Sequence, residues 1–164
     1  MADIRLLWTP ETLSADIVPS YPGLDDSGEL ESAVAISLFT WRRAKDDDRV
    51  DNPNSLLSRQ GWWGDGFSAW QSGEFPDPIG SRLWLLSREK MTVETIQRAK
   101  EYAEEALVWL VNDKVATSVS VSVVRNRLNP HRTDMSVEIL RENGQVLNLE
   151  YDNVWKQISG GEKQ

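Results

Sequence analysis

Thr92–Val124 reads TVETIQRAKEYAEEALVWLVNDKVATSVSVSVV, and the change of apolar period within it decides the fold. As far as Asn112, Val93, Ile96, Ala103, Ala106, Leu107 and Leu110 recur at helical spacings and form one apolar stripe. Thr92 is a suitable N-cap, and Glu94 in the first turn complements the positive end of the helix dipole. Glu94 and Arg98 are expected to form an i,i+4 pair, and Asn112-Asp113 to stop the helix. From Val115 the period becomes two. Val115, Val119, Val121 and Val123 share one face, while Ser118, Ser120 and Ser122 occupy the other.

Strand alternation continues downstream. Asp134–Leu140 alternates through Met135, Val137 and Ile139, and Val146–Tyr151 through Leu147, Leu149 and Tyr151. Asn143-Gly144 between them predicts a type I′ hairpin turn, which needs positive φ at both residues. The C-terminal half therefore reads as a helix laid on a three-stranded antiparallel meander, an α+β domain. Such a sheet has a free edge, and serine is a weak guard against pairing there.

Upstream, Glu29–Trp41 places Leu30, Val34, Ser37, Leu38 and Trp41 on one helical face, although VAISLF also suits a buried strand. Ala2–Trp8 reads as a short strand or extended arm. Thr9–Gly28, rich in proline, glycine and acids, is expected to wander over a surface. Lys45–Asn54 (KDDDRVDNPN) reads as a solvated charge run, without the spaced ligands and closing glutamate of a calcium loop. The expected organisation is an N-terminal arm over residues 1–28, one domain over 29–155 and a flexible tail over 156–164.

Composition narrows the function classes. The 164 residues suffice for one self-supporting core. Without cysteine, disulfides and thiolate chemistry are excluded, and a reducing compartment is expected. A net charge of −8 with no basic cluster argues against nucleic acid. No apolar run approaches the roughly 20 residues of a membrane helix, and MADIRLLWTPE lacks a secretory pattern, so a protein made in a cytoplasm is expected.

Eight tryptophans are many for this length, and three of them lie in RQGWWGDGFSAW, Arg59–Trp70. Tryptophan and arginine dominate interface hot spots, and glycine lets a backbone approach a partner closely. The loop reads either as a docking surface or as a lid that folds Trp62, Trp63 and Trp84 over the core. Beyond it, Pro76 and Pro78 forbid a helix, and Leu83–Leu86 suits a helical turn packed on the core.

Little here points to chemistry. His131 is the only histidine and lies in a turn, so histidine-based nucleophilic machinery and zinc sites are excluded; no cofactor or metal is expected. Asp65 and Glu74 beside tryptophans could flank a glycan, which leaves a glycan-binding or glycan-cleaving protein as the alternative class.

SLFTWRRA, RQGWWGD, IGSRLWLL and the long helix, in that order, resemble the Mu-like phage tail protein family called gene product forty-six, from about Leu30 to Val119. The family is similar to the baseplate wedge and sheath-initiator subunits of contractile tails. The resemblance implies a structural, non-enzymatic virion protein, assembled in the host cytoplasm and present in several copies around the tail. Its implied partners are larger baseplate wedge proteins, the tail sheath protein and the spike or hub. The initiator subfamily carries glutamate-proline-arginine at the end of its long helix, where this chain reads VNDKVA, Val111–Ala116. That contact does not carry over; Arg59, Trp62, Trp63, Asp65, Arg82 and Trp84 are the expected anchoring set instead.

Overall fold

The structure, a computed structural model of the chain, describes residues 6–9, 14–17, 19–20, 23–24, 28–50, 59, 61–62, 65, 78–129 and 132–159. Trp63, Glu74, His131, most of the aromatic loop and the tail beyond residue 159 lie outside them.

The C-terminal half is the expected α+β unit. Helix α2, Val93–Leu107, continues through a short α3, Trp109–Asn112, into the meander β5 (Ser118–Arg125), β6 (Thr133–Leu140) and β7 (Val146–Tyr151). The sheet is antiparallel in the order β5-β6-β7, so β5 and β7 are its edges. Thr92 caps α2 as expected, its hydroxyl accepting from Thr95 N–H at 3.2 Å.

The helix buries the expected stripe at Ala103, Ala106, Leu107 and, beyond it, Leu110, but departs from it in the first turns. Thr95, Ala99, Ala103, Ala106 and Leu107 are buried, whereas Val93 is 79% exposed. Thr95 can take the inward place because its hydroxyl donates to the Lys90 carbonyl at 2.9 Å. Small side chains let α2 approach β5 closely. Arg98 pairs with Glu89 across the helix start, not with Glu94.

Met135, Val137 and Ile139 from β6, with Val121 from β5, form the sheet side of the core, against Val34, Leu38, Leu83, Leu86, Leu107 and Leu110. Val115 falls outside β5 and is exposed. The hairpin differs from the expected type I′. Gly144 N–H donates to Arg141 C=O and Arg141 N–H to Gln145 C=O, and only Gly144 has positive φ, +79°. This is a three-residue loop with a glycine bulge, and the Asn143 side chain accepts from Gln145 N–H at 3.0 Å.

Helix α1 is Glu29–Phe39, so VAISLF is helical. It buries Ser32, Val34 and Leu38, while Trp41 lies beyond its end and is exposed. Thr9–Gly28 does not simply wander. Leu6–Thr9 (β1) pairs with Ser14–Ile17 (β2), and Pro19–Ser20 (β3) with Gly23–Leu24 (β4), both antiparallel; β1 lies against α1. Leu83–Leu86 is a 3-10 turn with Leu83 and Leu86 in the core, as its sequence suggests. At the other end, α4 (Val154–Ser159) carries Val154 and Ile158 into the core, so packing continues past the expected boundary at residue 155.

Candidate functional site

The site forms where three connecting segments meet the outer face of α2. At residues 40–42 the chain runs beside residues 80–82. Ser81 N–H donates to Thr40 C=O at 2.9 Å, Arg42 N–H donates to Ser81 C=O at 3.0 Å, and Ser81 Oγ donates to Leu38 C=O. Gly80 allows this approach. Its φ is +99°, and a Cβ there would meet Thr40 O at 2.4 Å.

That crossing aims Arg82 into a cluster of charges. Its Nη1 donates to both carboxylate oxygens of Asp48, at 2.7 and 3.0 Å, and its Nε donates to Glu105 at 3.2 Å. Nη2 donates to the same Glu105 oxygen. The guanidinium carbon lies 4.3 Å over the Tyr102 ring, a cation–π contact. Lys45 Nζ closes the cluster 2.8 Å from the other Glu105 oxygen. The Arg82 and Asp48 side chains are only 10% and 9% exposed. Burial alone would raise the Glu105 carboxyl, but hydrogen bonds from Lys45 and Arg82 outweigh it and hold the group below the usual carboxylate range. For Arg82, burial would lower the guanidinium, and its bonds to Glu105 and Asp48 raise it instead.

The expectation for Lys45–Asn54 is thus corrected within the described residues. Asp46 and Asp47 are exposed, but Asp48 is an internal counter-ion. Its carboxylate also accepts from Lys45 N–H at 2.8 Å, which curls the segment into a turn.

A second strip fastens the start of the aromatic loop. Ala44 N–H donates to Arg59 C=O at 3.0 Å, Arg59 Nη1 donates to Lys45 C=O at 2.7 Å, and the same nitrogen lies 3.3 Å from Asp46. Asp65 N–H donates to Trp62 C=O at 3.2 Å, and the Asp65 carboxylate accepts from Ile79 N–H at 3.2 Å. Trp84 is half-buried; its indole N–H donates to Arg42 C=O at 2.8 Å, and its ring lies 6.4 Å from that of Trp41.

The six expected anchors therefore divide. Arg82 is buried in its ion pairs; Arg59 and Asp65 tie one segment to another; Trp84 is fixed to the backbone. Trp62 is 41% exposed, and Trp63 lies outside the described residues. Asp48, Tyr102, Glu105 and Trp41 were missed. Tyr102 and Glu105, three apart on the polar side of α2, carried a weak helical signal; Asp48 carried none. Trp41, which the helical period places on one face with Val34 and Leu38, is 53% exposed.

The sequence profile described as phage protein GP46 matches residues 30–146 of this chain, a span that contains every residue of this cluster. The chain belongs to the phage protein GP46 family. Among curated relatives, "Baseplate protein gp46" of Escherichia phage Mu is 45% identical over 125 residues, covering 76% of this chain and 77% of the relative. "Mu-like prophage FluMu protein gp46" of Haemophilus influenzae is 36% identical over 141 residues, covering 85% and 86%. The family span begins in α1 and ends at the start of β7, so it takes in both the braced loop and most of the meander.

Proposed function

We propose that this GP46-family chain is a structural, non-enzymatic subunit of a contractile-tail baseplate, located in the virion and assembled in the host cytoplasm. It joins larger wedge proteins through the loop bearing Arg59, Trp62, Trp63, Asp65, Arg82 and Trp84. It also seeds the first sheath ring through a free edge of its C-terminal sheet. Several copies surround the tail near its spike or hub. The name of the phage Mu relative supports the baseplate setting.

One observation carries the docking reading. Arg82 is met by Asp48 and Glu105 and Arg59 by Asp46, while Trp62 and Trp41 are 41% and 53% exposed. A rigid aromatic ring loses little conformational entropy when a partner covers it. Within this reading, Arg82, Arg59 and Asp65 position the surface, and the indoles make the contact. Trp62→Ala should leave melting unchanged and block incorporation of the subunit into tails, scored by immunoblot of purified particles. Normal incorporation would overturn the docking role.

The ladder register sets which backbone groups of β7 face away from β6. Arg141 and Gln145 form a hydrogen-bonded pair, so alternation turns the backbone N–H groups of Val146, Asn148 and Glu150 outward from β7. An added strand would pair with those groups. Asn148→Pro removes an outward N–H and should stop sheath nucleation while baseplates still form. Sheathed tails at normal yield would argue against strand addition there.

A further inference from the structure

The hairpin joining β5 to β6 holds Leu128 almost wholly in water, 97% exposed. The turn that carries it is braced. Asn126 Oδ1 accepts from Leu128 N–H at 2.9 Å and from Asn129 N–H at 3.1 Å. The Asn126 amide donates to Asp134 at 2.6 Å, and its backbone N–H donates to Arg132 C=O at 2.8 Å. A side chain presented on such a turn has little backbone freedom to lose when a partner covers it. The tip is also basic. Arg132 is met by Asp134 and Asp152, and Arg125 donates to Met91 C=O. Arg127 is exposed, and among the described residues no acid pairs with it or with Arg125. A positive point thus stands on a chain of net charge −8.

The face of the meander turned away from α2 has the opposite sign. None of its outward positions on β5, β6 or β7 holds lysine or arginine, and Glu138 and Glu150 pair with no cation among the described residues. Short side chains leave a depression of about 170 Å³ there, lined by Ser120, Ser122, Ser136, Glu138 and Asn148. Ser120 and Asn148 flank Glu138 in direct register from β5 and β7. A guanidinium, with its fork of N–H donors, can meet the carboxylate and the neighbouring hydroxyl and amide oxygens together. Two residues further along β6, about 7 Å away on the same face, Leu140 is paired with the exposed Val146. An acidic hollow therefore lies beside an apolar corner, at a spacing that the adjacent side chains of Arg127 and Leu128 can span.

The two surfaces of one copy cannot meet, because Glu138 lies five residues beyond Thr133, about 17 Å up the same strand from the braced tip. We infer that the β5–β6 tip of one copy docks on the outer sheet face of the next, with Arg127 meeting Glu138 and Leu128 covering Leu140 and Val146. Tip and face are different surfaces, so the contact is head-to-tail and closes a ring where its rotation divides a full turn. Two copies packed face to face would instead oppose Glu138 to Glu138. The inference rests on the reading that several copies surround the tail; it uses neither the tryptophan loop nor the edge groups of β7.

The chain has no cysteine, so an introduced pair reports without background from this subunit. Leu128→Cys combined with Val146→Cys places thiols at two exposed positions. Purified tails carrying this double variant are treated with a short thiol-specific bifunctional reagent and immunoblotted after denaturation. A ladder at multiples of the chain mass is expected, and no ladder from either single variant. Adding Arg127→Glu should cut the ladder about five-fold or more, and adding Glu138→Arg to that should restore it. No ladder from tails that contain the double variant, a ladder indifferent to Arg127→Glu, or a dimer from Leu128→Cys alone would each overturn the inference. If the cysteine pair keeps the subunit out of tails, sedimentation of purified chains decides. Arg127→Glu and Glu138→Arg should each be monomeric and should associate when mixed; a mixture that stays monomeric overturns the contact. Absence of the unaltered chain from tails would overturn the baseplate reading, and this inference with it.

Discussion

Arg82→Met tests how strongly the ionic cluster braces residues 45–48 and Arg82 against α2. The substitution keeps much of the side-chain volume but leaves Asp48, only 9% exposed, without its bidentate partner, and leaves Glu105 with Lys45 alone. Removing one member of a buried pair costs about 3–5 kcal/mol because the remaining charge is stranded. Glu105 is 29% exposed and partly solvated, which places this case near the lower end, at about 3 kcal/mol. For a chain of this size, that predicts a fall in Tm of about 6–12 °C, measured by calorimetry or circular dichroism. Combining Arg82→Met with Asp48→Leu and Glu105→Met should recover much of the loss, since it removes the stranded charges. A loss below about 1 kcal/mol, the value of an ordinary surface pair, would refute the bracing argument.

Gly80→Ala should destabilise by at least about 2 kcal/mol in urea melts, since it combines positive φ with a backbone clash; Gly144→Ala, at φ +79° with open space around it, should cost only about 1 kcal/mol. Lys114 holds φ +59° just after α3, so Lys114→Gly should stabilise by about 0.5–1 kcal/mol in the same assay. Acid should weaken the fold in a definite direction. Glu105 is held low against its burial by Lys45 and Arg82, and Asp134 likewise by Asn153 N–H, Asn126 and Arg132. Their contribution is therefore complete above the ordinary carboxylate range, about pH 4, and is lost as pH falls through the lowered values. Glu105→Gln should flatten the acid limb of a Tm-versus-pH curve, and an unchanged limb would contradict that assignment.

The parts of the molecule legible in the sequence are those whose partners lie close along the chain. The Thr92 cap, the helix it starts and the alternation in β5, β6 and β7 all depend on neighbours within a few residues, and the structure contains them. The errors arise where tertiary context overrules a local rule. Val93 fits the helical apolar period but is exposed, because Thr95 satisfies its hydroxyl on the Lys90 carbonyl and occupies the inward place. Asn143-Gly144 fits a two-residue turn, but the strands close with one more loop residue. The candidate site was legible by residue type and not by role. Tryptophan and arginine marked the segment, but Asp48 reaches Arg82 across 34 positions, and nothing in KDDDR separates its third aspartate from its solvated neighbours. A binding surface built on such a clamp can be located from composition, while the clamp itself needs coordinates.

Oxidative footprinting of tryptophans, read by mass spectrometry on the isolated subunit and on intact tails, tests the docking claim most directly. Trp62 and Trp41, exposed in the free chain, should be oxidised readily alone and strongly protected in the particle, while half-buried Trp84 changes little. Equal oxidation of Trp62 in both states would contradict the account, because this exposed residue would then meet no other protein.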